Sequence, residues 1–179
     1  MSPAVRRRPT RPAVLAPVTL HEFEALDRTH ADVVQSLKQL EALVKRIDDG
    51  GVDEAARRLA ATLCAFFDGT ARAHHEEEER VVFPPLLGGG DAALIQHVQR
   101  LQQDHGWLEE DWHELRPQLS TIAEGFAWND REALRQMAEV FATLYIEHIA
   151  LEESMIYPAA RALLESAEQA EQRRTAPPP

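Results

Sequence analysis

Apolar residues along this chain fall into four runs spaced three and four positions apart, the period of a helix with one buried face. In the first run Phe23, Leu26, Val33, Leu37, Leu40, Val44 and Ile47 keep that alternation with one step missing, and His30 stands at the missing step. Thr19 with Glu22 three positions on forms a capping box that starts this helix. Gly50 and Gly51 stop it after about Asp48. The second run follows Asp53, a suitable N-cap, and carries Leu59, Leu63, Phe66, Phe67 and Val81 up to a stop at Pro84 and Pro85. His74 lies seven residues after Phe67 and seven before Val81, hence on the same face, while His75 is turned about 100° toward the edge.

The third run begins after Asp91 and uses Leu94, Val98, Leu101, Leu108, Trp112 and Leu115 before an expected end near Pro117, with His105 in its one vacant step. The fourth begins after Asn129 or Asp130 and passes Pro158 to about Leu164; Leu134, Met137, Phe141, Leu144, Leu151 and Met155 define its face and His148 is in phase. Four long helices, short connections and no strand pattern predict an all-α fold, an antiparallel up-down-up-down four-helix bundle. The bundle is expected over residues 19–166. A basic, proline-rich tail at 1–18 and a polar, proline-ending tail at 167–179 are expected to be disordered.

Each predicted helix thus has one histidine on its apolar stripe, and the four share a level. His30 is about as far from the start of its helix as His74 is from the end of the next. His105 and His148 lie at comparable depths, so a rise of about 1.5 Å per residue puts all four imidazoles within a few ångströms of one plane. A single core histidine is ordinarily explained by one hydrogen bond to a neighbour. Four in one layer would each need a buried partner, and a metal satisfies them together.

Carboxylates reinforce this. Glu78 follows His74 by four residues and Glu152 follows His148 by four, each one turn on and on the same face. The stretches "HHEEEERVVFP" and "HIALEESMIYP" align at the histidine, the Glu-Glu pair and the proline, with Val82 opposite Ile156 and Phe83 opposite Tyr157. His30 and His74 are 44 positions apart, His105 and His148 43, so the chain is laid out as two helical hairpins on one plan. Imidazoles mixed with carboxylates and no thiolate suit iron, manganese or zinc. Two symmetric glutamates could bridge a pair of metals, with the histidines in terminal positions and open sites left for a small ligand. A structural zinc, closed by four ligands, fits that stoichiometry less well.

Charge narrows the partners. The chain has 19 Lys and Arg against 30 Asp and Glu, a net charge of −11, and Arg6, Arg7, Arg8 and Arg11 all precede the first acid, Glu22. A body that acidic is a poor nucleic-acid binder. Cys64 is the only cysteine, which excludes an intrachain disulfide and a cysteine zinc site. No apolar run reaches the roughly 20 residues of a membrane span, and no sustained apolar segment follows the early arginines, so a cytoplasmic protein is expected.

These residues resemble those of the hemerythrin-like proteins of the HHE cation-binding group. The family's motif of histidine, three residues, Glu-Glu, then an apolar residue before Phe-Pro or Tyr-Pro occurs at 74–84 and again at 148–158, and His30 and His105 match its single histidines. The resemblance covers about residues 19 to 164. It implies an oxygen-bridged centre of two non-haem iron ions, with His30, His74, His105 and His148 as terminal ligands and Glu78 and Glu152 bridging. The roles it implies are binding or sensing of O2, reaction with peroxide or nitric oxide, and iron handling; turnover as an enzyme is not the leading expectation.

Oxygen carriers of the family have a second histidine one turn from that of the third helix, where this chain has Leu101 or Glu109. They also place an aspartate five residues after the last histidine, where this chain has Glu152 after four. The likeness is therefore to the broader HHE branch, in which the position held here by His75 can supply an extra ligand. His75 is thus either a further ligand or a solvated edge residue.

The alternative is a bundle with a single or structural metal serving as an interaction or regulatory module. A ferritin-like site would need two Glu-x-x-His pairs, and Glu110 with His113 is the one pair found. His21, His97 and His113 are expected at the surface, as are Glu76, Glu77 and Glu79. Trp107 and Trp128 are expected to pack, and Tyr145 to fill core space rather than to bond a metal-bound ligand.

Overall fold

The structure, a computed structural model, describes residues 20–126 and 130–175; the expected N-terminal tail, the cap at Thr19, Trp128 and Asn129 lie outside them. Four long helices make up the fold. Helix α1 is Leu20–Gly50, α2 covers 54–88, α3 is Ala92–Ala123 and α4 covers 131–175. Each packs against its neighbours in sequence, and α1 closes the ring against α4, as an up-down-up-down bundle requires.

The helix starts are chemically explicit. The carboxylate of Asp53 accepts from the Ala56 amide, that of Asp91 from the amides of Ala93 and Leu94, and that of Asp130 from the Ala133 amide. Helix α1 stops where Gly51 takes a positive φ of 77°, its amide bonded to the Ile47 carbonyl at 2.9 Å.

Three expected ends move, for identifiable reasons. Pro84 and Pro85 do not end α2, which continues through Phe83–Gly88. In the turn before them, Glu78–Val82, the hydrogen bonds widen so that the Phe83 amide reaches back to the Glu78 carbonyl. That wider ladder relieves the clash and the lost donor that a proline brings to a regular helix. An equivalent wide turn, Glu152–Ile156, precedes Pro158 on α4, with the Tyr157 amide on the Glu152 carbonyl.

Pro117 likewise sits inside α3. It and His113, whose carbonyl loses its usual donor four residues on, are both exposed, so water can serve that carbonyl, while Leu115, Leu119 and Ile122 continue the buried stripe. Finally, α4 runs past Leu164 to Thr175 along exposed Ala, Glu, Gln and Arg positions of high helix propensity.

The wide turn on α4 also shifts the register of its stripe. Ile156 is fully buried and Met155, expected on the apolar face, is exposed. Trp107 is 46 % exposed and is no packing residue. The rest of the expected stripe is buried or half-buried, including Leu26, Val33, Leu63, Leu101 and Phe141. Each fully buried Leu or Phe contributes about 2 kcal/mol.

This apolar interior is two clusters rather than one. The larger holds Val33, Leu37, Phe67, Ala71, Leu108, Phe141, Tyr145 and Ile149. The smaller holds Phe23, Leu26, Val81, Leu101, Ile156 and Tyr157. On three helices a histidine lies between the two clusters, His30 between Leu26 and Val33, His74 (with Glu78) between Ala71 and Val81, and His105 between Leu101 and Leu108; on α4 Glu152 lies between Ile149 and Ile156, with His148 one turn before it. A buried polar layer crosses the bundle. Among the described residues no helix is long and apolar enough to cross a membrane.

Candidate metal centre

The layer gathers the seven residues expected from the sequence. His30, His74, Glu78, His105, His148 and Glu152 are all less than a tenth exposed, and both glutamates are fully buried. Their Nε2 atoms face the carboxylates. His30 Nε2 lies 3.1 Å from Glu152 Oε2, His74 Nε2 3.4 Å from Glu78 Oε1, His105 Nε2 3.6 Å from Glu78 Oε2 and His148 Nε2 3.2 Å from Glu152 Oε2.

The donor atoms form two groups, each within a span of 4.8 Å: His30, His74, Glu78 and Glu152 in one, His75, Glu78, His105 and His148 in the other. Ligands about 2.1 Å from a central ion stand up to about 4.2 Å apart, so each group has the dimensions of one coordination sphere. Glu78 belongs to both. His75 is no solvated edge residue; its ring stacks on His105 at 4.1 Å between centroids and its Nε2 is buried without a hydrogen bond.

The second glutamate of each Glu-Glu pair also has work here. Glu79 accepts from His105 Nδ1 at 2.9 Å, and Glu153 stands 3.2 Å from His30 Nδ1. With Nδ1–H held by a carboxylate, each ring presents an unprotonated Nε2 to the layer and is fixed in orientation, the usual outer support of a metal-bound imidazole. Glu79 is therefore not simply part of a solvated face.

Three further contributors escape the sequence reading in whole or part. Asp104 is 1 % exposed, with neither carboxylate oxygen hydrogen-bonded, and its Oδ2 is 4.0 Å from His148 Nδ1. It shares the Leu101–Leu108 stripe with His105, a signal that was available. Glu153 is the partner of His30 Nδ1. Tyr157 is more than an end marker, because its hydroxyl donates to Glu78 Oε1 at 2.5 Å, lies 3.2 Å from His30 Nε2, and its ring stacks on His30.

Tyr145 is buried in the larger cluster beside His75, as expected of a core-filling residue. Glu110 and His113 are exposed and away from the layer; His97 is half-buried.

Electrostatics set the layer's preferences. Burial presses His74 down to about 4, and His75 well below its ordinary value. Burial opposes a charge on His30 too, yet Glu152, Glu78 and Glu153 outweigh it and raise His30 above 6.5. Burial likewise works against the Glu78 carboxylate, but the surrounding histidines His74, His105 and His75 hold it below the usual range. Glu152 is pushed well above, by burial and then by the charge on Glu78. Two buried carboxylates therefore resist being ionised together when no cation lies between them.

The residues fit a metal. Both nitrogens of His74 and of His148, His105 Nε2, Glu78 Oε2 and both oxygens of Glu152 are buried without a hydrogen-bond partner. So many orphaned acceptors converging on one layer would be costly in a finished core, and a cation satisfies them. No curated protein matches the chain. The hemerythrin HHE cation-binding domain model matches residues 21–160, a stretch that holds all five layer histidines and both glutamates. This chain belongs to the hemerythrin HHE cation-binding domain family.

Proposed function

We propose that the protein binds two non-haem iron ions and that this centre meets O2 or a related small oxidant such as peroxide or nitric oxide, in sensing, reaction or iron handling. The observation that carries the reading is the pair of donor groups sharing Glu78. In it, His30 and His74 would hold one ion and His75, His105 and His148 the other. Glu78, common to both groups, would hold both ions, and Glu152 would complete the first; its Oε2 lies 3.1 Å from His30 and 3.2 Å from His148 of the second group.

Nitrogen and oxygen donors without thiolate suit iron, and they also accept manganese or zinc. Iron held there supplies an electron and an open coordination position for a small molecule. The chain's own part is to orient the imidazoles through Glu79 and Glu153, to exclude bulk water with the two apolar clusters, and to hold a proton on Tyr157 Oη beside Glu78. Burial, with the charges of Glu78 and Glu152, raises the Tyr157 hydroxyl well above its ordinary value, so that proton stays on the phenol at neutral pH.

Metal analysis of protein purified from iron-supplemented cells tests the reading. The expected result is about two irons per chain for two coordination spheres, with a visible absorption that changes on oxidation and reduction. A folded protein that neither carries iron nor takes it up on reconstitution overturns it.

A further inference from the structure

A pocket of about 490 Å³ opens between α2 and α3 and ends against His75 and His105. These two rings belong to the second donor group, so the pocket and the centre share a wall. Its size is far beyond what a diatomic needs, since a water molecule takes roughly 30 Å³, and it lies in the range of sites for organic ligands.

Its body is aromatic. Trp112 is half-buried and presents its ring to it, and Phe67, Phe141 and Tyr145, each at most 4 % exposed, close it beneath, with Phe67 about 5 Å from both the Trp112 and the Phe141 ring. The charged side chains around it are already matched. Asp68 accepts from Trp112 Nε1 at 2.9 Å and from Arg116 at 2.8 Å, Arg72 pairs with Glu76 at 3.2 Å and approaches Glu109 at 3.8 Å, and Glu79 accepts from His105. A charged ligand would have to break one of these pairs; an uncharged one would not.

Gly106 is the second observation. It lines the pocket next to His105, in the interior of a 32-residue helix, where glycine is the least favourable residue after proline. No backbone strain calls for it, since its φ is not positive, and a Cβ there would meet nothing within 4 Å. Neither packing nor backbone geometry demands a glycine at this position. Gly106 is exposed at the pocket's edge, so a large side chain there has room to lie across it.

We propose that the pocket between α2 and α3 binds a compact, uncharged, ring-bearing molecule whose oxygen or nitrogen donor reaches the His75–His105 side of the layer, and that glycine at 106 keeps it open. The ring lies on Trp112, over the buried Phe67 and Phe141. The inference deepens the function proposed above and rests on it only for what the donor atom meets at the inner end.

The test is titration of the full chain with phenol, in metal-loaded and in metal-free form. Binding is followed by calorimetry and by the NMR shift of the Trp112 indole N–H; benzoate and benzylammonium are the charged controls. Saturable phenol binding is expected, at least about tenfold tighter than either control, and at least about tenfold weaker in Gly106→Trp. Gly106→Ala is expected to raise the melting temperature and to leave phenol binding within about twofold. Should Gly106→Trp fold poorly, Gly106→Leu takes its place.

Absence of saturable phenol binding in both forms, tighter binding of a charged control, or undiminished binding by folded Gly106→Trp or Gly106→Leu overturns the proposal. Failure of the centre itself reads out separately, as protein that takes up no metal yet still binds phenol.

Discussion

Phe83 lies nearly parallel to His105 at 5.6 Å, and Tyr157 nearly parallel to His30 at 5.1 Å; the two aromatics occupy the same place in the two repeated turns. Glu79 supports His105 as Glu153 supports His30. Each half of the layer thus receives a glutamate, an aromatic lid and a second glutamate from the neighbouring hairpin. The halves differ in what fills the equivalent positions. Opposite Ile149 stands His75, which adds a donor to the half around His105. Opposite Phe83 stands Tyr157, whose hydroxyl adds a hydrogen bond to the half around His30. The pocket reaches only the first of these. Duplication supplies the scaffold, and two substitutions make one end open and donor-rich, the other closed and hydrogen-bonded.

The strongest way to break the comparison is at the shared carboxylate. Glu78 serves both donor groups and Glu152 only one. Glu78→Gln is expected to lose both ions, and Glu152→Gln to keep about one, because a coordination sphere short of an anionic ligand binds a dication poorly. Equal loss in the two variants, by metal analysis, would show that the layer works as a single symmetric unit. Next in size are the supporting glutamates. Glu79→Gln and Glu153→Gln should each weaken metal binding by about 10–100-fold. Their effects should add if the halves are separate and fall short of adding if the halves are coupled. Tyr157→Phe is smaller: it leaves Glu78 Oε1 without its donor and should cost the metal-free protein about 1.5 kcal/mol in denaturant unfolding.

Much of this is legible in the sequence because helical periodicity is a strong signal when an apolar stripe is long. The vacant steps at His30 and His105 stand out only against Leu26, Val33, Leu101 and Leu108. The helix ends are less legible for a physical reason. Proline excludes a regular turn, but it does not exclude a helix that widens before it, and nothing local in "EERVVFP" distinguishes a stop from a wide turn. The same widening moves Met155 out and Ile156 in, a shift of phase that strict periodicity cannot anticipate. Supporting residues are hidden differently. Glu79 and Glu153 sit on faces that are half exposed, with side chains 45 % and 54 % accessible, and a glutamate there has the same pattern as a solvated one. Only the position of His105 and His30 across the bundle gives those carboxylates a partner. Tyr157 was visible as the counterpart of Phe83, yet the reach of its hydroxyl to Glu78 depends on how two helices from different hairpins approach.

The smallest effect sharpens the comparison inside the closed half. His30 and His74 belong to one donor group and have ring centroids 4.8 Å apart, yet their proton affinities are pushed in opposite directions. His74, neutral by burial, should titrate near pH 4 in the metal-free protein, and His30, facing three carboxylates, above 6.5. The consequences for stability have opposite signs. His74 gains no proton in the fold until about pH 4 while the unfolded chain gains one near 6.5, so its contribution falls as pH drops across that window, by up to about 3 kcal/mol. His30 binds its proton more tightly folded than unfolded, so its contribution is complete below 6.5 and is lost as pH rises through its folded value. Ring-proton shifts followed by NMR from pH 3.5 to 8.5 would separate the two midpoints. If both fall near 6.5, water reaches the layer in the absence of metal and the closed half is no more closed than the open one. If they separate as stated, the metal-free layer is dry enough to keep His74 neutral while three carboxylates hold a proton on His30 beside it, so one donor group contains both a desolvated and a charge-stabilised imidazole.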